Sequence, residues 1–264
     1  MKRVIKDFGG RAVFAFRLDT LLLRNTALVV AFHRVQETTA DADGLTVDVA
    51  TFERYGRFFR DHFRVTPLRV LADKLERGLG VDRELAITFD DGYRDNFEQA
   101  APVLERLGLP ATFFVVTDWM GTDVVPWWDR QQGVRHPWMT WEQVRTLQQK
   151  GFDIGAHTRT HADLGRVADS DAKEEILGSR LELEDRLGTA VQLFAYPYGA
   201  PNNLLERNRE LIKVAGFRCC CSCFGGLNGR GSDPFQLRRV AVSSWFGSPH
   251  RFGFDVALRR TSAA

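Results

Sequence analysis

The chain has 264 residues, 44% of them hydrophobic and 27% charged, with 36 Lys or Arg against 34 Asp or Glu for a formal charge of +2. That length and apolar fraction suffice for one sizeable core, and single α/β barrels commonly reach this size. The charges are well mixed, which argues against a nucleic-acid surface, and no apolar run approaches the length that spans a bilayer.

Residues 1–26 read as an N-terminal segment distinct from the rest of the chain. Lys2, Arg3, Asp7, Arg11, Arg17 and Asp19 interrupt any signal-peptide core. Ala12 to Leu23, with Val13, Phe14, Phe16, Leu21, Leu22 and Leu23, is apolar enough to be amphipathic. Such segments usually pack on their own domain; the alternative is docking at the inner membrane surface. Residues 27–264 read as one domain, without internal repeat or low-complexity linker.

Within that domain, the apolar run Ala27–Phe32 leads straight into His33. Thr51 to His62 predicts a helix with Phe52, Tyr55, Phe58 and Phe59 on its buried face, and Leu68 to Arg77 a second that Gly78 stops. The next run, Ala86–Phe89, delivers Asp90 and Asp91 to Gly92. Adjacent carboxylates in a turn can divide metal holding from proton transfer, although Asp-Gly after a strand is also an ordinary turn signal. Ala111 to Val116 predicts a strand. Residues 117–139 form a long stretch poor in periodicity that holds Trp119, Trp127, Trp128 and Trp138. Tryptophan faces suit sugar rings, so Trp127 and Trp128, with Trp245, are candidates to line a glycan groove; the plainer alternative is that the indoles cover a barrel rim.

Thr140 and Gln143 have capping-box spacing for a helix running to Lys150 and stopped by Gly151. A strand-like run from Phe152 to Ala156 then enters His157 and His161, whose spacing lets both rings face one point on a helical turn or tight loop. Two neutral imidazoles and one carboxylate are a common ligand set for a divalent ion that keeps open positions for water and substrate. Asp171 to Leu187 and Asn203 to Ala215 predict helices ended by Gly188 and Gly216, with solvated charged faces. Between them, Val191–Tyr196 leads into Pro197, Tyr198 and Gly199. All four cysteines, Cys219, Cys220, Cys221 and Cys223, fall in one strand-like stretch. Alternation puts Cys219, Cys221 and Cys223 on one face, packing is their default role, and no second pair exists to build a zinc ribbon. So tight a cluster of free thiols fits the cytoplasm better than an oxidising compartment.

Four short apolar runs, each ending in polar residues, are the pattern of an (α/β) barrel, whose active site is assembled just past its strands' C-terminal ends. The motifs Thr88-Phe89-Asp90-Asp91-Gly92, His157-Thr158-x-x-His161 and Tyr196-Pro197-Tyr198-Gly199, in that order, resemble the polysaccharide deacetylase family, also called carbohydrate esterase family 4 or the NodB-homology domain, over roughly residues 27 to 242. Ala31-Phe32-His33-Arg34-Val35 resembles the circularly permuted branch that acts on poly-N-acetylglucosamine-type exopolysaccharides.

The resemblance implies a distorted (β/α) barrel in a single domain. It implies Asp90 as general base, His33 as general acid, Asp91, His157 and His161 as metal ligands, and the Pro197–Tyr198 turn as the oxyanion and substrate-binding element, through the Tyr198 backbone N–H. The cofactor would be a divalent ion, most simply Zn2+, although cobalt, nickel, manganese or iron also suit such donors. The partner would be an N-acetylated glycan of a bacterial exopolysaccharide or cell surface, or its precursor, and the reaction N-deacetylation. A carbohydrate O-acetyl esterase and a non-catalytic glycan-binding relative are the alternatives. One departure stands out: family members often carry an arginine three residues before Tyr198 that steadies the catalytic aspartate, and this chain has Ala195 there. Arg34, Arg94 and Arg159 lie close to motif residues and could substitute, with a solvated side chain as the default for each.

Overall fold

The computed structural model describes residues 2–37 and 44–259; Met1 and the 260–264 end of the 27–264 unit lie outside them. Six strands, β1 (Thr26–Phe32), β2 (Glu84–Phe89), β3 (Thr112–Val115), β4 (Asp153–Ala156), β5 (Leu193–Ala195) and β6 (Cys219–Cys221), pair in that order and all in parallel. They are buried on both faces, which explains why they read as continuous apolar runs rather than as alternating ones. One short segment joins the ends of this sheet. Leu237 bridges Cys221 of β6, and β7 (Val240–Ala241) pairs in parallel with Val30 and Ala31 of β1. The result is a distorted (β/α) barrel.

Helices α1 (Lys2–Ala15), α2 (Val49–His62), α3 (Leu68–Glu76), α4 (Ala101–Leu107), α5 (Trp127–Gln132), α6 (Trp141–Gln149), α7 (Asp169–Leu187), α8 (Glu206–Val214) and α9 (Pro249–Arg259) complete the architecture. Strand parity sorts the core into two layers. Ala27, Val29, Ala86, Phe114, Leu193, Ala195, Cys219 and Cys221 pack together with Leu237 and with Leu68, Leu71, Ala72 and Leu75 of α3. Residues of opposite parity, including Val30, Phe32, Phe89, Phe113 and Cys220, pack against Phe52, Tyr55 and Phe59 of α2 and Leu104 of α4.

Helix α3 covers the strands' N-terminal ends. Lys74 pairs with Glu84 at the start of β2, Arg69 with Asp153 at the start of β4 (2.9 Å), and Asp73 and Glu76 with Arg218 just ahead of β6. With that end plugged, a site can open only at the C-terminal ends.

Most predicted elements stand within one or two residues of their expected bounds. Helix α2 begins at Val49 because Asp48 caps it, accepting from the Thr51 N–H at 2.8 Å. Helix α6 opens on the Thr140–Gln143 capping box. Three stretches differ. The apolar stretch Ala12 to Leu23 is divided between the end of helix Lys2–Ala15 and a short helix at Asp19–Leu22; a Cβ at Gly10 would lie 2.0 Å from the His250 carbonyl oxygen, so the missing side chain lets α1 pack closely on α9. The helix predicted from Asn203 starts at Glu206, after a 3-10 turn at Pro201–Asn203. The 117–139 stretch holds a 3-10 turn at Thr117–Trp119 and α5, with Trp119 and Trp138 buried in the core. No helix among the described residues is long and apolar enough to cross a membrane.

Leu71 is fully buried in the plug while Leu79 just beyond it is 42% exposed. Leu71→Ala is expected to cost about 2–5 kcal/mol in urea unfolding, and Leu79→Ala no more than about 0.5 kcal/mol.

Candidate active site

Every motif residue leaves the barrel at the same end. His33 follows β1, Asp90 and Asp91 follow β2, His157 and His161 follow β4, and Tyr198 follows β5. They line one cavity of about 380 Å³, together with Trp127, Trp128, Cys223 and Trp245. Pro197 shapes the turn, its carbonyl accepting the Gly199 N–H at 2.6 Å, and is not part of the cavity wall.

Asp91, His157 and His161 converge on one point. Asp91 Oδ1 lies 3.4 Å from His157 Nε2 and 3.3 Å from His161 Nε2. Hydrogen bonds between such groups run about 2.7–3.0 Å, whereas two ligands each about 2.1 Å from one tetrahedral ion stand about 3.4 Å apart. The spacing therefore fits a shared divalent cation. The His157 Nδ1 is 2.8 Å from the Ala195 carbonyl, which can only accept, so Nδ1 carries a proton and Nε2 is the nitrogen turned toward Asp91. Burial pushes the Asp91 carboxyl up, but the two imidazoles outweigh it and hold the group well below the usual carboxylate range. Burial pushes His161 down, toward the neutral form that ligates. Packing holds this ring in place of a hydrogen bond: Trp119 stacks on it with centroids 5.4 Å apart, while Trp128 and Tyr198 meet it edge-on at 5.1 and 4.8 Å.

Asp90 faces inward with Ala86 and Thr88 by strand parity, and meets Arg239. Nη1 and Nη2 of Arg239 donate to the two carboxylate oxygens at 2.7 Å each, Nη1 also to Thr88 Oγ1 at 3.1 Å, and Nε to the Ser222 carbonyl. Both partners are fully buried. Burial raises the Asp90 carboxyl, yet the guanidinium, with help from His157 and His33, keeps it below its ordinary value. Arg239 thus stands where the arginine absent at Ala195 was expected to act. None of the three candidate arginines near the motifs does. Arg34 is buried and not solvated, its Nε donating to Thr46 Oγ1 at 2.9 Å and its Nη1 lying 3.8 Å from Asp129. Arg94 donates to the Trp138 carbonyl, and Arg159 pairs with Asp118 and Glu174. The available signal was the run Leu237 to Val242, where Leu237, Arg239 and Ala241 share a face.

The turns are conformationally demanding. Of seven non-glycine residues with positive φ among the described residues, four are here: Asp91 (73°), Thr158 (64°), His161 (61°) and Tyr198 (60°). The histidine loop is tied down by Glu175 of α7, whose carboxylate accepts from the Arg159 and Thr160 N–H groups at 2.8 and 2.9 Å and from Thr160 Oγ1 at 2.6 Å. The His33 loop is held by Asn96, whose Nδ2 donates to the His33 carbonyl at 2.7 Å, and by Asp95, which accepts the Val35 N–H at 2.9 Å. Among the described residues the Tyr198 N–H donates to no protein acceptor. Cys223 departs from the packing role of Cys219, Cys220 and Cys221: it lies past the end of β6, within 4.8 Å of the His33 and Asp90 ligand atoms. Burial pushes its thiol up to about 11, so it is protonated at neutral pH.

The model of the polysaccharide deacetylase family matches residues 80–219. That span holds Asp90, Asp91, His157, His161 and Tyr198, with His33 before it and Arg239 after it. YxkH of Bacillus subtilis (strain 168), provisionally named a polysaccharide deacetylase, is 24% identical over 217 residues, covering 81% of this chain and 71% of that protein. The poly-β-1,6-N-acetyl-D-glucosamine N-deacetylase of Escherichia coli (strain K12) is 22% identical over 256 residues, covering 83% of this chain and 37% of that one, so this chain spans little more than a third of that relative. In fold, the chain is similar to the Streptococcus pyogenes deacetylase PplD in complex with acetate, with a TM-score of 0.72, 19% identity, and coverage of 87% of this chain and 97% of that one.

Arg239→Met leaves a buried carboxylate without its counter-charge and is expected to destabilise the fold by about 3–5 kcal/mol in urea unfolding at neutral pH. Because the folded Asp90 pKa is depressed, the pair's contribution is present above the unfolded carboxyl value of about 3.9 and is lost as pH falls through the folded value, so the deficit should shrink in acid. If the cluster holds a divalent cation, Glu175→Ala is expected to weaken its binding about 10–100-fold in competition with a chromophoric chelator; unchanged affinity would show that the loop holds its histidines without Glu175.

Proposed function

The chain belongs to the polysaccharide deacetylase family, and from that membership we propose that it hydrolyses acetyl groups from N-acetylated amino sugars of a bacterial exopolysaccharide or cell-surface glycan, or of its precursor. The observation that carries the reading is the 3.3–3.4 Å spacing of Asp91 from His157 and from His161, beside a second carboxylate clamped by Arg239. Asp91, His157 and His161 would hold a divalent cation, zinc being the simplest fit to two imidazoles and one carboxylate. When bound, such an ion lowers the pKa of water and polarises a carbonyl.

The chain's own groups supply the remaining chemistry. Asp90, anionic and fixed by two hydrogen bonds, accepts the proton of the attacking water. The Tyr198 N–H, presented by a left-handed turn, donates to the oxygen that becomes negative. His33, on the strand next to that of Asp90, returns a proton to the departing amine, a group too basic to leave as an anion. Trp127, Trp128 and Trp245 offer ring faces at the mouth of the cavity, suited to stacking on sugar. The similarity to a poly-N-acetylglucosamine deacetylase supports a glucosamine-type substrate.

Acetate release should be measured from N-acetylglucosamine oligomers and from O-acetylated sugars, with chelated enzyme before and after zinc is restored. Zinc-dependent release from the N-acetylated set is expected. Release confined to O-acetylated sugars would replace this reading with an esterase. Asp90→Asn should lower kcat about 10²–10⁴-fold while zinc stays bound. His33→Gln should cost far more with an amide than with 4-nitrophenyl acetate, whose leaving group needs no proton; equal losses would remove His33 from the acid role.

A further inference from the structure

Fourteen large hydrophobic side chains are exposed among the described residues, and five of them fall within seventeen positions: Ile5 (61%), Phe8 (74%), Phe16 (76%), Leu18 (49%) and Leu21 (70%). Ile5, Phe8 and Phe16 fall on one side of the helical wheel. The opposite side of α1 is already satisfied. Phe14 packs edge-on against Phe58 at 4.8 Å, Lys6 pairs with Asp255 at 2.6 Å, and Gly10 abuts the backbone of His250. The outer apolar stripe therefore has no partner among the described residues.

The charge around the stripe is equally uneven. Residues 1–24 carry six Lys or Arg against two acids, whereas the other 240 residues carry 30 basic and 32 acidic groups. Asp7 pairs with Arg11 at 3.0 Å, Lys6 with Asp255 at 2.6 Å, and Asp19 is fully buried against Arg83 at 3.0 Å, so the segment's acids are all paired and its surplus of charge is basic. An apolar stripe set in a local positive field, on a molecule otherwise slightly negative, suits a bilayer with anionic headgroups: the rings enter the acyl boundary and the cations stay at the phosphates. It does not suit a second copy of the chain, because a two-fold interface would set this positive patch against itself.

We propose that the outer face of α1, with Phe16, Leu18 and Leu21 just beyond its C-terminal end, docks the protein on an anionic lipid surface. The proposal is independent of the reaction at the barrel mouth. The test is flotation of the full-length, zinc-loaded protein with vesicles of phosphatidylcholine alone or mixed with phosphatidylglycerol. The wild type should float with the anionic vesicles, less with the neutral ones, and less as salt rises. Phe8→Ser, Phe16→Ser and Leu21→Ser combined should lower partition at least about tenfold. Arg11→Gln with Arg17→Gln should lower it on anionic vesicles and leave neutral ones unaffected. All these side chains are exposed and none lines the cavity; the melting transition of each variant is measured beside the flotation, which separates lost docking from lost fold. Absence of wild-type flotation with anionic vesicles, or equal flotation of the triple variant, would overturn the proposal. So would light scattering that finds a wild-type dimer and a monomeric triple variant, since the stripe would then cover itself.

Discussion

The Asp90–Arg239 pair is the constraint on which the rest of the site depends. A carboxylate taken wholly out of water is tolerated only with a counter-charge and filled hydrogen bonds, and here both oxygens accept from one planar guanidinium. Lysine, a point charge with one nitrogen, could not make the same fork. The arginine sits two residues past the bridge from Leu237 to β6 and one residue before the pairing of Val240 with β1. The segment that joins the two ends of the sheet is therefore the segment that fixes Asp90. Barrel closure and the ionisation state of Asp90 are one structural event, and a distortion of either is felt by the other.

Asp90 and Asp91 are neighbours in sequence yet belong to different chemical units, and the backbone makes the separation. In a regular strand, consecutive side chains point to opposite faces, which would send one of the two carboxylates away from the cavity. Asp91 instead turns with φ of 73°, so that Asp90 stays on the strand face toward Arg239 while Asp91 swings toward the two imidazoles. The same unusual backbone recurs at Thr158, His161 and Tyr198. Such conformations persist only where the surroundings impose them, and the surroundings here are specific: Glu175 holds the histidine loop, three aromatic rings enclose His161, and the Ala195 carbonyl orients His157.

What could be read from the sequence was what local pattern encodes. Apolar runs that stop at a polar turn marked the barrel strands, and glycine stops with a capping box marked most of the helix ends. Contacts between distant segments left no such trace. Arg239 is one of 36 basic residues, and only its parity with Leu237 and Ala241 on a two-residue strand distinguishes it. Glu175 reads as one charge among many on a polar helix. Cys223 shares parity with Cys219 and Cys221, but the strand ends at Cys221, so the alternation that predicted its packing no longer applies. Gly9 and Gly10 discourage a helix on propensity alone. They are accepted in α1 because α9, at the far end of the described chain, needs the space they leave.

The strand order also disposes the site's parts across the barrel mouth. The closing segment, β1 and β2 are neighbours, and they bring Arg239, His33 and Asp90 to one side; the histidine pair arrives from β4, with β3 between. Asp91, at the end of β2, spans the gap, reaching the histidines while its neighbour Asp90 stays with Arg239. On the proposed chemistry, the proton-handling groups thus occupy one wall and the cation-holding groups the other, and an acetamido group set between them would meet both without either set having to move. The aromatic wall of Trp127, Trp128 and Tyr198 stands on the histidine side: the rings of Trp128 and Tyr198 touch His161, and Trp127 packs edge-on against Trp128 with centroids 5.7 Å apart. On the same proposal, a sugar stacked on that wall would press on the rings that hold His161, so grip on the glycan and geometry at the cation would be coupled through that one side chain.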